Sequence, residues 1–300
     1  MKKSSLGTIF VIIAGVLWST MGLSVKKLSM AGLTSFHIST YRFLAGMAAI
    51  VIFALLRDPK LFKIKARHIP LFILTGAVGL AGTSLTYYAT IAHEGMGVAA
   101  VLMYLEPVLV IIASRFIFRE KITPGKAAAC AIAIVGCALV SGVLSISHIS
   151  PLYFCLGMAS AVCYGAYSIV SKLILNRGYD TFTIILYSYI FGSIALIPVS
   201  DYRGLFTLLN ATPRLYLYAT VLAVPSCALA YVFYTRALTY GLPGRAAIMS
   251  SLEPALAAVW GVLVYHEHLD VFMLLGVLMV LSSVVIVGVD WKVKKPARQP

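Results

Sequence analysis

The sequence predicts an all-α integral membrane protein: ten transmembrane helices forming two inverted five-helix repeats, with both termini in the cytoplasm. Three observations carry this. Of 300 residues, 61% are hydrophobic and only 11% charged, against about 25% charged in a soluble domain. Apolar segments of membrane-spanning length recur along the whole chain, and the second half repeats the first in register. A globular core cannot absorb so much apolar surface, so lipid is the solvent for most of the chain. There, only helices and closed barrels satisfy the backbone, and the strand-length alternation of a barrel is absent.

The first predicted span runs from Leu6 to Lys27. Met1-Lys2-Lys3 ahead of it looks like the basic start of a signal peptide, but the run is long enough to cross about 30 Å of hydrocarbon. No A-x-A-like cleavage site follows, so it is expected to be retained. Ser35 to Leu56, Ile69 to Ala92, Gly97 to Phe118 and Pro124 to Leu144 complete the first half. The second half holds Leu152 to Leu175, Phe182 to Val199, Leu215 to Leu238, Ala246 to Tyr265 and Val271 to Val289. Residues 1–145 and 146–291 are the expected repeats, and 292–300 a basic cytoplasmic tail.

Charge supports this count. The net charge is +14 from 24 Lys and Arg, yet these are scattered over short connectors rather than gathered on one face, which argues against nucleic acid as a partner. With both termini inside, nineteen fall in cytoplasmic segments, including Arg57, Lys60, Lys63, Lys65 and Arg67 in one connector and Arg115, Arg119, Lys121 and Lys126 in another. Only Lys26, Lys27, Arg203 and Arg214 fall outside, and Arg42 sits within the second span. That bias obeys the positive-inside rule, and a miscounted helix would reverse everything after it.

The five cysteines lie in apolar stretches without C-x-x-C spacing, which indicates neither a zinc site nor a disulfide framework. The six histidines fall at predicted helix ends or in loops, and no Walker-type glycine loop, serine nucleophile elbow or acidic metal cluster is present. No enzyme activity, metal or cofactor is expected.

The repeat is explicit. Leu105-Glu106-Pro107 recurs as Leu252-Glu253-Pro254, 147 residues later. At the same offset Tyr87 falls on Tyr234, Gly97 on Gly244, Ala99-Ala100 on Ala246-Ala247, and Phe118-Arg119-Glu120 on Tyr265-His266-Glu267. Lys27-Leu28 matches Lys172-Leu173 at 145, and Gly46 matches Gly192 at 146. An odd number of helices per copy inserts the two copies in opposite orientation, as in many secondary transporters.

This duplication, Tyr41-Arg42-Phe43-Leu44 in the second span, and Leu-Glu-Pro followed by an aromatic-x-Glu together resemble the EamA branch of the drug/metabolite transporter superfamily, from about Leu6 to Val289. The resemblance implies an alternating-access carrier of the cell inner membrane, of a type that exports amino acids or related amine-bearing metabolites. Ser188 stands where a second Arg42 would fall. A channel or a non-transporting membrane subunit are the alternatives.

Glu106 and Glu253 each lie near mid-span, where a carboxylate costs roughly 2.5–3.5 kcal/mol. The proline after each frees a helix carbonyl, so both helices are expected to kink beside a polar cavity. Two roles stay open for the pair: titration during transport, or hydrogen bonding across the pseudo-symmetry axis. For Arg42 they are an ion pair or an anion contact. Aromatic and small polar residues cluster with them, Ser84, Ser168, Tyr231 and Trp260 included. The expected substrate cavity comprises Trp18, Ser19, Tyr87, Tyr88, Tyr104, Glu106, Tyr164, Tyr167, Tyr234, Ser250 and Glu253. Such a lining suits a zwitterionic or cationic small molecule, with proton coupling and oligomeric state left open. Gly76, Gly79 and Gly82 are read as a packing stripe.

Overall fold

A computed structural model of the chain describes residues 3–142, 149–266 and 270–290. Among these residues the regular structure is helical, with no strand. Eight stretches are long and apolar enough to cross a membrane. One of them, Ala66–Ile117, has 52 residues, more than twice the roughly 20 that one crossing needs. It breaks at Gly95, whose φ of 84° lies in the region that favours glycine. Dividing it there, and adding the shorter apolar helix Pro124–Val140, gives ten segments. In order they are α1 Ser5–Met30, α2 Ser35–Arg57, α3 (66–94), α4 (96–117), α5 Pro124–Val140, α6 Pro151–Leu175, α7 Thr181–Val199, α8 Arg214–Tyr240, α9 Pro243–Tyr265 and α10 Val271–Asp290. The basic tail, His148, Glu267 and His268 lie outside the described residues.

Local chemistry sets several boundaries. Thr34, Thr123 and Asp180 accept backbone N–H bonds at the starts of α2, α5 and α7, which satisfies donors that no helix turn can reach. A short helix, Tyr202–Ala211, occupies what hydropathy alone leaves as a connector. Its Leu205 and Leu209, one turn apart, are fully buried beside Leu28, Ile38 and Leu215.

The halves pack on one another through small residues. Tyr189 of α7 covers Gly46 of α2, and Phe43 of α2 covers Gly192 of α7; a methyl group on either glycine would overlap the opposing ring. The two rings meet at 5.6 Å between centroids. Phe43 and Tyr189, like the two glycines, are repeat counterparts, so this contact is reciprocal across the pseudo-twofold axis. The glycine stripe of α3 packs as expected, with Gly76 against Ser188 and Phe191, Gly79 against Tyr167, and Gly82 against Cys163.

Two features depart from simple helices, each in both repeats. Leu74–Gly82 in α3 and Leu222–Leu229 in α8 are wound as π-helix, a widened turn that is rare and concentrated at functional sites. α4 and α9 are also interrupted, at Tyr104–Leu105 and at Ser251, the first break taking in the leucine of Leu-Glu-Pro and the second lying immediately before the triplet. The break therefore precedes the proline, which occupies the first turn of a new half-helix, where its missing N–H costs nothing. Each glutamate thus sits at a half-helix N-terminus, whose dipole favours negative charge by about 0.3–1 kcal/mol.

Candidate functional site

A cavity of about 420 Å³ opens at one end of the bundle. Its mouth is formed by Met21, Gly22 and Val25 of α1, Ile91 of α3, Met96 and Gly97 of α4, Val140 and Ser141 at the end of α5, and Met273 of α10. These positions border the connectors opposite the lysine- and arginine-rich ones. Deeper, the walls are Trp18, Ser19, Ser84, Tyr87, Tyr88, Tyr104, Tyr164, Tyr231 and Cys227, and the charged groups are Arg42 and Glu253.

The Arg42 Nη2 donates to Ser84 Oγ at 2.5 Å, and Cys227 lines the same cavity. No carboxylate pairs with it among the described residues. Glu253 is partly exposed to the cavity, which Tyr104 also lines. Among the described residues the cavity thus presents one guanidinium and one carboxyl group, with no ion pair between them. Ser19 Oγ accepts from Trp260 Nε1 at 3.0 Å, which fixes it at the wall.

Trp18 closes the floor. Its ring packs edge-on against Tyr164 at 6.3 Å and Tyr231 at 5.1 Å, and tilted against Tyr234 at 5.3 Å. Beyond that layer lies a second, closed cluster. Glu106, only 2% exposed, accepts from Ser168 Oγ at 3.3 Å, and that hydroxyl lies 2.8 Å from the Tyr234 hydroxyl. The Tyr167 hydroxyl lies 2.6 Å from Thr235 Oγ1. Ser250 Oγ turns back to the Ala247 carbonyl at 2.8 Å.

Of the residues expected to line one cavity, the structure therefore gathers Trp18, Ser19, Tyr87, Tyr88, Tyr104, Tyr164 and Glu253, and it adds Arg42, read from the sequence as an ion-pair or anion-contact residue. It places Glu106, Tyr167, Tyr234 and Ser250 behind the floor. The counterparts Glu253–Tyr87 and Glu106–Tyr234 occupy opposite environments, one pair open to the cavity and one enclosed. Ser84 and Tyr231, which belong to the sequence clusters, also line the cavity, as do Cys227, Cys137 and the methionines Met21, Met96, Met103 and Met273. The sequence held no signal for that last group, since apolar residues facing a cavity and facing lipid look alike.

The far end of the bundle is sealed. Glu120, on the connector after α4, meets Lys126 Nζ at 2.5 Å, with side-chain exposures of 3% and 5%. Its other oxygen accepts the Gly244 N–H of α9 at 3.3 Å. Lys172 of α6 donates to the Leu238 carbonyl of α8 at 2.6 Å.

Two successive stretches of the chain, residues 5–142 and 151–289, match the EamA-like transporter family. The chain belongs to that family. Among relatives, an uncharacterized inner membrane transporter of Salmonella typhimurium, YicL, is 27% identical over 97% of both chains. An uncharacterized transporter of Clostridium kluyveri is 24% identical over 95% of this chain and 93% of its own. A crystal structure superposes with a TM-score of 0.78 over 94% of this chain and 96% of that one, at 18% identity, which shows a shared fold. As an EamA-like protein, the chain is a multi-pass membrane transporter.

Proposed function

We propose that the protein exports a small zwitterionic or cationic metabolite, an amino acid or related amine-bearing compound, across the cell inner membrane by alternating access. One observation carries this reading. The cavity presents a guanidinium without a carboxylate partner among the described residues, and a partly exposed carboxylate, on aromatic walls. A zwitterion answers both charges at once, its carboxylate toward Arg42 and its ammonium toward Glu253. Ring faces of Trp18, Tyr87 and Tyr88 add attraction for the cation.

The positive-inside pattern supports a reading in which both termini are cytoplasmic and the open mouth faces outward. Trp18 and the cluster behind it interrupt the path to the other side, which favours a carrier over a channel. The inverted repeat supplies the second state, in which Glu106 and Tyr234 take the exposure of Glu253 and Tyr87. Each binding-competent glutamate then serves one face of the membrane.

The test is thermal stability of purified protein against amino acids and their N-acetyl and amide derivatives, followed by flux in proteoliposomes. A ligand at 100 times its Kd adds about 2.7 kcal/mol to stability. The reading expects a free amino acid to stabilise and both blocked forms to fail. Arg42→Gln should weaken binding about 10- to 100-fold, the loss of a charge-assisted hydrogen bond. A ligand indifferent to both Arg42→Gln and Glu253→Gln would refute it.

A further inference from the structure

A second cavity, of about 590 Å³, lies at the sealed end. One wall is the end of α2 with the connector that follows it, from the first repeat, and the other is the 177–183 turn into α7, from the second. Its basic groups are Arg57, Lys60, Lys63, Lys65, His68 and Arg177, against two carboxylates, Asp58 and Asp180. Both carboxylates are already used. Asp58 Oδ1 accepts the Lys60 N–H at 2.9 Å and Asp180 Oδ1 accepts the Phe182 N–H at 2.8 Å. No carboxylate pairs with Lys60, Lys63 or Lys65 among the described residues.

The walls are held in place. The Tyr179 hydroxyl accepts the Lys65 N–H at 3.0 Å and lies 2.8 Å from His68 Nδ1. Thr183 Oγ1 donates to the Leu61 carbonyl at 3.0 Å, and the Tyr187 hydroxyl to that of Phe62 at 2.8 Å. The Arg57 guanidinium stacks on Phe182 at 4.7 Å, which orients it at the rim. Ile52, Leu55 and Leu56, on the last turns of α2 beside it, are exposed apolar residues. The other basic connector is different: its Lys126 is neutralised by the buried Glu120.

From this geometry we infer that the cavity is a binding site for a phosphate-bearing anion, either an anionic phospholipid headgroup or a free phosphate, bridging the two repeats. Basic pockets between membrane helices bind such headgroups. A bound anion ties one connector from each repeat together and so holds this end shut.

The experiment measures melting of the detergent-purified chain with added phosphatidylglycerol or phosphatidylcholine, and with inorganic phosphate or chloride at matched ionic strength. Phosphatidylglycerol or phosphate should stabilise the wild type beyond its control. Each basic side chain near a membrane surface strengthens anion binding by about five-fold, so Lys60→Gln/Lys63→Gln should weaken it about 30-fold. Lys60→Arg/Lys63→Arg and the distant Arg115→Gln/Lys121→Gln should retain it. Stabilisation by the lipid alone identifies a headgroup site, and by phosphate alone a soluble-anion site. If neither stabilises, or if both Gln double variants lose the effect equally, the inference is overturned.

Discussion

Replacing Lys126 with methionine tests the seal at the closed end. The Lys126 ammonium and the Glu120 carboxylate are 2.5 Å apart and almost completely buried. At an effective dielectric constant of about 20, charges that close attract by about 6–7 kcal/mol. Much of this offsets the cost of removing both from water, so the pair itself is a weak source of net stability. Removing one partner is different. Lys126→Met removes the ammonium from a buried Glu120 that the Gly244 N–H still contacts, and breaking a buried pair in this way costs about 3–5 kcal/mol. Glu120→Gln/Lys126→Met removes both charges, so its cost should fall below the sum of the two single costs by about 2 kcal/mol or more. The assay is reversible unfolding in mixed micelles, with all four proteins measured in the same detergent. A loss below about 1 kcal/mol for Lys126→Met, or strict additivity in the cycle, would refute the argument, because an exposed pair behaves that way.

Other tests reach other elements. Gly46→Ala forces a methyl group into the Tyr189 ring and should cost about 1–3 kcal/mol. Gly22→Ala, with nothing within 4 Å of the added carbon, should change unfolding by no more than about 0.5 kcal/mol. A carbodiimide should modify Glu253 ahead of Glu106 by about tenfold or more, since reaching Glu106 needs a local opening; peptide mass spectrometry reads the ratio. Asp201 is held below the usual aspartate value of 3.8 by the Gly204 N–H and then by His37. A depressed native value adds stability that is present above the unfolded pKa and lost as pH falls through the native one. Hydrogen-exchange protection of Tyr202–Ala211 should therefore decline below about pH 4, and Asp201→Asn should remove that slope.

The ten spans were legible because a membrane crossing demands some twenty apolar residues, and few other constraints produce that pattern. The duplication was legible because Leu-Glu-Pro and its flanking residues keep their register. The break ahead of each Glu-Pro was only half legible: proline announces a disturbance, but whether it bends a helix or starts one depends on the neighbours that receive the free backbone groups. The two π-helical stretches carry no composition of their own, apart from Pro225 in the second. Tyr202–Ala211 escaped because an amphipathic ten-residue helix lacks the length that hydropathy detects. The unequal placement of Glu106 and Glu253 could not be read at all. Sequence records the symmetry of the two repeats, while any single conformation open at one end must break it.

The mutual insertion of Phe43 over Gly192 and Tyr189 over Gly46 has the geometry of a fulcrum. A rotation that exchanged the roles of α2 and α7 would leave Phe43 over Gly192 and Tyr189 over Gly46, so the joint would survive such a motion without repacking. Displacement in a rocking body is smallest at its axis, and Arg42 is the residue next to Phe43 in the chain. Ser188, its counterpart, bonds Thr75 instead, so under the proposed rocking motion the Arg42 guanidinium would ride near the still point. A cargo's anionic end would keep a single anchor through the whole cycle, while its cationic end passes from one glutamate to the other.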